Sequence, residues 1–207
     1  MDAADRQRLE NDIRGRCEER DFDGAASVAV RGYGPEIFGL LITLHGGEHD
    51  ASEVFSIFVE RMWRGLEGFA WESSFRTWAY TVARNASRNY REDVRRRARF
   101  HPPLPNELSQ IAEAARTATR SFLKTEKKTR IQRLRESLSP EEQLILSLRV
   151  DRELAWNDLA HVMHDGEDPL TPDDLKRESA RLRKRFQAIR DKLMALGRRE
   201  GILDPDD

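Results

Sequence analysis

The stretch FAWESSFRTWAYTVARNASRNYREDVRRR, from Phe69 to Arg97, constrains this chain more than any other, because one helix there has to satisfy two environments. At 100° per residue, Phe75, Trp78, Ala79, Val82 and Ala86 fall on one apolar stripe, and Arg84, Arg88, Arg91 and Arg95 fall opposite. The stripe asks for a protein core and the arginines ask for anions. Ahead of the helix, Phe69 and Trp71 sit in a short loop beside Ser73 and Ser74, and Ser74 is placed to cap the helix start. Rings next to cations suit a single nucleic-acid strand, since bases stack on the rings and phosphates pair with the charges.

The whole-chain charge of −1 argues against a nucleic-acid binder until it is resolved along the 207 residues. Lys176 to Arg199 holds ten Lys and Arg against Glu178 and Asp191, and Arg91 to Arg99 holds five Arg against Glu92 and Asp93. Two basic patches are therefore hidden by acids elsewhere. Charged residues make up 35% and hydrophobic ones 38%, which favours charge-rich helical domains with small cores. No apolar run is long enough to span a bilayer and none follows Met1, so a cytoplasmic protein without membrane insertion is expected. Cys17 is the single cysteine, which rules out an intramolecular disulfide or a thiolate cage. His161 and His164 lack a further strong ligand, and no phosphate-cradling loop, nucleophile elbow or carboxylate pair is present. No metal, no cofactor and no enzyme activity is expected.

The periodicity predicts an all-α chain of two small helical domains joined by a flexible linker. Residues 1–24 read as a charged, helical extension. Between Ala25 and Leu44 two helical segments are expected, broken at Gly32, Tyr33, Gly34 and Pro35, with Ile37, Phe38, Leu40, Leu41 and Leu44 as core. A further helix is predicted from Asp50 to Leu66, with Val54, Phe55, Phe58, Val59 and Met62 inward and Glu53, Ser56 and Glu60 on the polar face. The first domain spans 25–99. Pro102, Pro103 and Pro105 mark a linker over 100–129, and residues 107–125, which show no clear stripe, are expected to be a weakly structured connection.

The second domain, 130–197, starts at Ile131 and Leu134 and is followed by a tail, 198–207. Ser139, Pro140 and Glu142 form a capping box, with Leu144, Ile145 and Leu148 as core. A short helix from Trp156 to Met163 precedes a long one opened by Thr171 and Pro172. Its Leu175, Leu182, Phe186, Ile189, Leu193 and Leu196 keep helical spacing. Two such helices in this order suit a helix-turn-helix, in which Lys176, Arg177, Ser179, Ala180, Arg181, Arg183 and Lys184 would read bases and grip phosphates. Asn85, between the stripe and the arginines of the earlier helix, offers an amide to a base edge.

These segments resemble the sigma-70 family of bacterial initiation factors, in its short extracytoplasmic-function (ECF) group. ESSFRTWAYTVARN at Glu72 to Asn85 looks like regions 2.3 and 2.4, YGPEIFGLL at Tyr33 to Leu41 like region 2.1, and SPEEQLILSLRVDRELAWNDLAHVM with LKRESARLRKRF like region 4. The resemblance implies a region 2 bundle and a region 4 helix-turn-helix, binding to core RNA polymerase, and recognition and opening of promoter DNA. It places the polymerase contact on Glu53, Ser56, Ile57 and Glu60. It places the flipped base and single strand of the minus-ten element on Phe69, Trp71, Ser73, Ser74, Arg76, Arg84, Asn85, Arg88 and Arg91. The minus-thirty-five element falls to the helix from Leu175 to Phe186, and an anti-sigma factor is a compatible partner.

The chain departs from the family pattern in three respects. Its usual Gln and Glu in the polymerase-binding helix are Ser56 and Ile57 here, and its usual Ser before the first helix of the reading motif is Ala155. The turn is lengthened by HDGEDPLTPDD, from His164 to Asp174, which carries five acids. Two rival readings are a helix-turn-helix regulator that does not bind polymerase, and an adaptor that binds polymerase but not promoters.

Overall fold

The computed structural model describes residues 1–94, 105–123, 134–166 and 168–201, and among them no strand occurs. Arg95, Pro102, Pro103 and Ile131 lie outside the described residues. The chain divides into two compact units, Met1–Leu123 and Lys124–Asp207.

In the first unit, α1 (Ala3–Glu18) is capped by Asp2, which accepts from the Asp5 amide, and α2 (Phe22–His45) is capped by Asp21, which accepts from the Gly24 amide. Gly46, at φ 67°, ends α2 in the left-handed conformation that glycine adopts without strain. Then come α3 (Glu48–Gly65), a tight turn at Leu66–Gly68, α4 (Phe75–Val94) and α5 (Asn106–Leu123). The helix α2 is central, and α1, α3, α4 and α5 all pack on it. Tyr33, Phe38, Phe55, Phe75 and Tyr80 are fully buried there.

Two expectations are corrected in this unit. The predicted break at Gly32–Pro35 is absent, and α2 runs through Pro35. A proline inside a helix costs about 3 kcal/mol, but Tyr33, Gly34, Ile37 and Phe38 around it are buried, and apolar burial of that extent outweighs the cost. The expected weakly structured connection over 107–125 is instead α5, whose Leu108, Ile111, Ala112, Ala115 and Thr119 are buried. A Cβ at Gly34 would lie 3.0 Å from the Ala115 Cβ, so the glycine is what allows α5 so close to α2. Thr119 Oγ1 donates to the Pro35 carbonyl at 3.1 Å.

The second unit contains α6 (Pro140–Leu146), a wider π-type turn at Ser147–Asp151, α7 (Trp156–Met163) and α8 (Pro172–Arg199). The capping box at Ser139 and Glu142 forms as expected, Thr171 caps α8, and Ala155 leaves α7 without a side-chain cap. Leu134, Leu138, Ile145, Leu148, Leu159, Val162, Leu182 and Ile189 are buried. Leu175, Phe186, Leu193 and Leu196 of the expected α8 stripe are only half-buried. Glu141 and Glu142 of α6 hold α8 through Arg185 and Lys192. No described helix is long and apolar enough to cross a membrane.

Candidate nucleic-acid interface

The loop before α4 is built on a cluster of rings. Phe69 stacks on Trp78 with centroids 4.7 Å apart, and Trp71 lies 4.7 Å from Phe69. Phe75 packs beneath them, 6.2 Å from Phe69 and 5.4 Å from Trp78. Phe75 is buried, whereas Phe69, Trp71 and Trp78 are half-exposed, so the cluster roots in the core and opens to solvent. Trp71 has φ 59°, a left-handed conformation that a non-glycine residue holds only when its surroundings enforce it. The Arg14 guanidinium, from α1, lies 5.3 Å from the Trp71 ring centroid.

The first turn of α4 leaves no amide wanting. Thr77 N donates to Ser74 Oγ at 3.1 Å, which makes Ser74 the expected cap. Phe75 N and Arg76 N donate to the two oxygens of Glu10, at 2.7 and 2.9 Å, so a carboxylate on α1 closes the start of α4. Tyr33 Oη donates to the same Glu10 at 2.6 Å, and burial together with that bond raises the Tyr33 pKa. Ser73 is half-buried and donates to the Ser74 carbonyl at 3.3 Å.

The arginines of α4 do not form one outward face. Arg76 is buried and donates from Nε and Nη2 to the two oxygens of Glu36, at 2.8 and 3.2 Å. Burial works against its charge, but the Glu36 bonds outweigh it and raise its pKa. Arg84 is buried as well, and Arg91 is half-buried with Nη2 on the Leu44 carbonyl. Burial lowers the Arg91 pKa. Arg88 is exposed. The expectation of Arg84, Arg88 and Arg91 on a common anion-facing side is corrected, and the cause is the buried arc of α4. It includes Thr77, Tyr80, Ala83 and Ser87 beyond the predicted stripe, so the core side is turned by roughly a quarter-turn toward Arg76. Small residues at 83 and 87 let the backbone approach its neighbours on that side. Asn85 is half-buried, and its Oδ1 is shielded from solvent with no hydrogen-bond partner among the described residues. Such an oxygen costs about 1–3 kcal/mol unless something supplies a donor.

On α3 the four residues placed at the polymerase contact divide. Glu53 is exposed, but Ile57 and Glu60 are buried, and Glu60 pairs with Arg64 at 3.3 Å. The Ser56 Oγ accepts from Arg116 Nη2 of α5 at 2.6 Å, and that guanidinium also lies 5.3 Å from the Phe55 ring centroid. Ile57 and Glu60 are therefore largely covered within this unit, so the expected position of Glu60 on the polar face of α3 is corrected. Arg116 and Glu10 were not singled out by the sequence, because each is paired with residues far away in the chain.

On α8, Lys176, Arg177, Ala180, Arg181, Arg183 and Lys184 are exposed as the helix-turn-helix reading requires. Ser179 is not. It is buried, and its Oγ lies 3.2 Å from the Trp156 carbonyl and 2.9 Å from Asn157 Oδ1, so it fastens α8 to the start of α7 and does not face DNA. Three cations of the exposed set have acidic partners one turn back, Lys176 with Asp173 at 3.7 Å, Arg177 with Asp174, and Arg181 with Glu178 at 3.6 Å. These pairs are solvated and weak, so a phosphate can compete for each cation.

Comparison with known proteins bears on the first unit. Residues 29–98 match the family model of sigma-70 region 2. The ECF RNA polymerase sigma factor SigG of Mycobacterium tuberculosis, in strains CDC 1551 / Oshkosh and ATCC 25618 / H37Rv, is 34% identical to this chain over 101 residues. The match takes in 49% of this chain and 25% of each relative, so the chain spans about a quarter of their length. The matched family segment runs from within α2 to just past α4 and contains the ring cluster, Asn85 and the exposed face of α3. The first unit therefore carries a segment similar to sigma-70 region 2, shared with an ECF sigma factor.

Proposed function

We propose that this protein is an ECF-type sigma factor, which binds core RNA polymerase, directs it to particular promoters and captures the opened nontemplate strand. One observation carries the reading. Within the segment that matches region 2, a half-exposed ring cluster rests on a capped helix start, and the same helix carries the half-buried Asn85, whose Oδ1 has no hydrogen-bond partner among the described residues. Rings that open to solvent can receive an unstacked base, and an unmet amide oxygen gains a partner if the Asn85 side chain turns outward to a base edge. Strand opening then needs no catalytic group, because capture of a flipped base stabilises the open state.

The roles divide by unit. In the first, Phe69, Trp71, Ser73 and Asn85 serve the strand, and Arg88 serves its phosphates. Glu53 and the accessible part of Ser56 lie on the side of α3 assigned to core polymerase. In the second, Lys176, Arg177, Arg181, Arg183 and Lys184 serve duplex DNA at the minus-thirty-five element. An anti-sigma factor is the expected regulator within this reading.

Run-off transcription with purified core polymerase on a randomised promoter library tests it. Enrichment of a two-part promoter supports the proposal, and binding to core without initiation supports an adaptor. Duplex binding with no affinity for core supports a helix-turn-helix regulator, the reading favoured by the exposed cations of α8.

A further inference from the structure

The helix α1 lies outside the segment that matches region 2, yet it holds the element to which strand capture is assigned. Glu10 reaches three groups from two other helices: the Phe75 and Arg76 amides at the start of α4 and the Tyr33 hydroxyl of α2. Arg14, one turn further along α1, covers the Trp71 ring, and Arg20, in the turn just after α1, pairs with Glu67 at 2.8 Å in the turn before the loop. Ile13, between them, is completely buried and fixes α1 to the unit. Two side chains of α1 and one just after it therefore reach the turn, the loop and the helix start on which Phe69 and Trp71 depend.

We infer that α1 is a working part of the strand-capturing element and that Glu10 is its positioning residue. The inference rests on the sigma-factor reading above. Glu10 touches no DNA. Its two oxygens fix where α4 begins, which fixes the point from which the loop leaves, and that holds Trp71 in the left-handed conformation its ring needs to stand beside Phe69. A carboxylate suits the place because both oxygens must accept. An amide of the same size turns an N–H₂ toward an N–H donor, so Glu10→Gln removes a bond and the charge facing the helix start while keeping the volume.

The experiment compares the full chain with Glu10→Gln and with Tyr33→Phe, a milder variant that removes one of the three partners of Glu10. Amide hydrogen exchange is followed over residues 69–77 and, as a control, over the α2 and α3 core. Capture of a 2-aminopurine-labelled nontemplate strand is followed in holoenzyme reconstituted with core polymerase, on a promoter from the library. Glu10→Gln is expected to speed exchange at 69–77 and weaken strand capture, each by roughly tenfold, a change that the loss of a charge-assisted hydrogen bond can produce. Exchange in the core and affinity for core polymerase stay within about twofold, which a general loss of fold would not allow. Tyr33→Phe moves both loop readouts in the same direction by less.

Unchanged exchange at 69–77 overturns the positioning role. Faster exchange with undiminished strand capture overturns its part in function. If Glu10→Gln fails to fold, Tyr33→Phe decides by the same two readouts. A wild-type chain that does not bind core polymerase sinks the sigma-factor reading, whereas the exchange comparison still decides whether Glu10 holds the loop.

Discussion

Arg76 and Glu36 form a two-pronged ion pair, Nε to Oε1 at 2.8 Å and Nη2 to Oε2 at 3.2 Å, that ties α4 to α2 inside the first unit. The Arg76 side chain is 9% exposed and that of Glu36 22%, so solvent screens the pair only weakly. An arginine at the start of a helix that faces DNA is easily assigned to phosphates, but this one is spent on the scaffold. Removing one member takes from the other its charged partner in a largely buried setting.

Glu36→Ala is therefore expected to lower the stability of the first unit by about 2 kcal/mol, the lower side of the range for breaking such a pair, because Glu36 keeps some contact with water. Arg76→Lys does not replace the two-pronged geometry and is expected to lose most of the same amount. Urea unfolding followed by tryptophan fluorescence measures both. Equal stability for Arg76→Lys and wild type would show that charge alone, without geometry, holds the two helices.

Legibility in the sequence followed side-chain size and sequence distance. Large apolar residues marked α3, α6, α7 and α8 at once, and the caps at Ser139 and Thr171 were readable because a cap is a local event. By contrast α5 was hidden, because half its buried stripe is Ala112, Ala115 and Thr119, which weigh little in any periodicity. Pro35 misled in the opposite direction, since local chemistry disfavours a helix there and tertiary burial enforces one. The site was legible as types and not as faces. The residue types at Phe69, Trp71 and Asn85 are readable from the sequence, but which arginines of α4 are buried depends on the core arc through Ala83 and Ser87. Glu10 carried no signal, because its partners lie from 23 to 66 residues on.

Within the proposed function, Asn85→Ala and Trp71→Ala are each expected to lower open-complex formation by about tenfold, in keeping with the worth of one stacked or read base. Affinity for core polymerase should change by no more than about twofold, since neither residue lies on α3. Asn85→Ala also removes the unmet Oδ1, so the free protein should hold or gain stability while it loses function. Equal loss of strand opening and core binding would assign both residues to the scaffold.

On α8 the cations and the acids one turn back give opposite predictions. Lys176→Ala with Arg177→Ala is expected to weaken duplex binding and to reduce the slope of log affinity against log salt by about 2, one for each phosphate that is no longer neutralised. Asp173→Asn with Asp174→Asn should strengthen binding, because it frees both cations and removes repulsion of phosphate, although the start of α8 loses favourable charge. Ser179→Ala should destabilise the second unit and leave the salt slope as it is, since its hydroxyl serves Trp156 and Asn157. Fluorescence anisotropy across a salt series, on a promoter duplex, measures all three.

His45 gives the first unit a pH dependence whose sign is fixed by its surroundings. Burial first, and then the neighbouring Arg91, hold its pKa down to about 4, with Asp50 opposing them in part. The ring lies 2.8 Å from Ser87 Oγ and meets the Tyr90 ring edge-on at 5.6 Å between centroids. In the unfolded chain the same imidazole titrates near 6.5. Between these values the unfolded state binds the proton and the folded state does not, so stability is full above about pH 6.5 and falls as the pH drops toward 4. The loss from this one group is expected to reach about 2 kcal/mol, less than the full pKa difference implies because the side chain is only half-buried. His45→Gln should start less stable at pH 7.5, because its side chain cannot meet the Tyr90 ring edge-on, and should then lose less on acidification. Thermal unfolding of the two proteins at intervals between pH 7.5 and 4 measures the difference. A constant gap between the curves would mean that His45 takes up its proton equally well in both states, and that neither its burial nor Arg91 disfavours the charged ring.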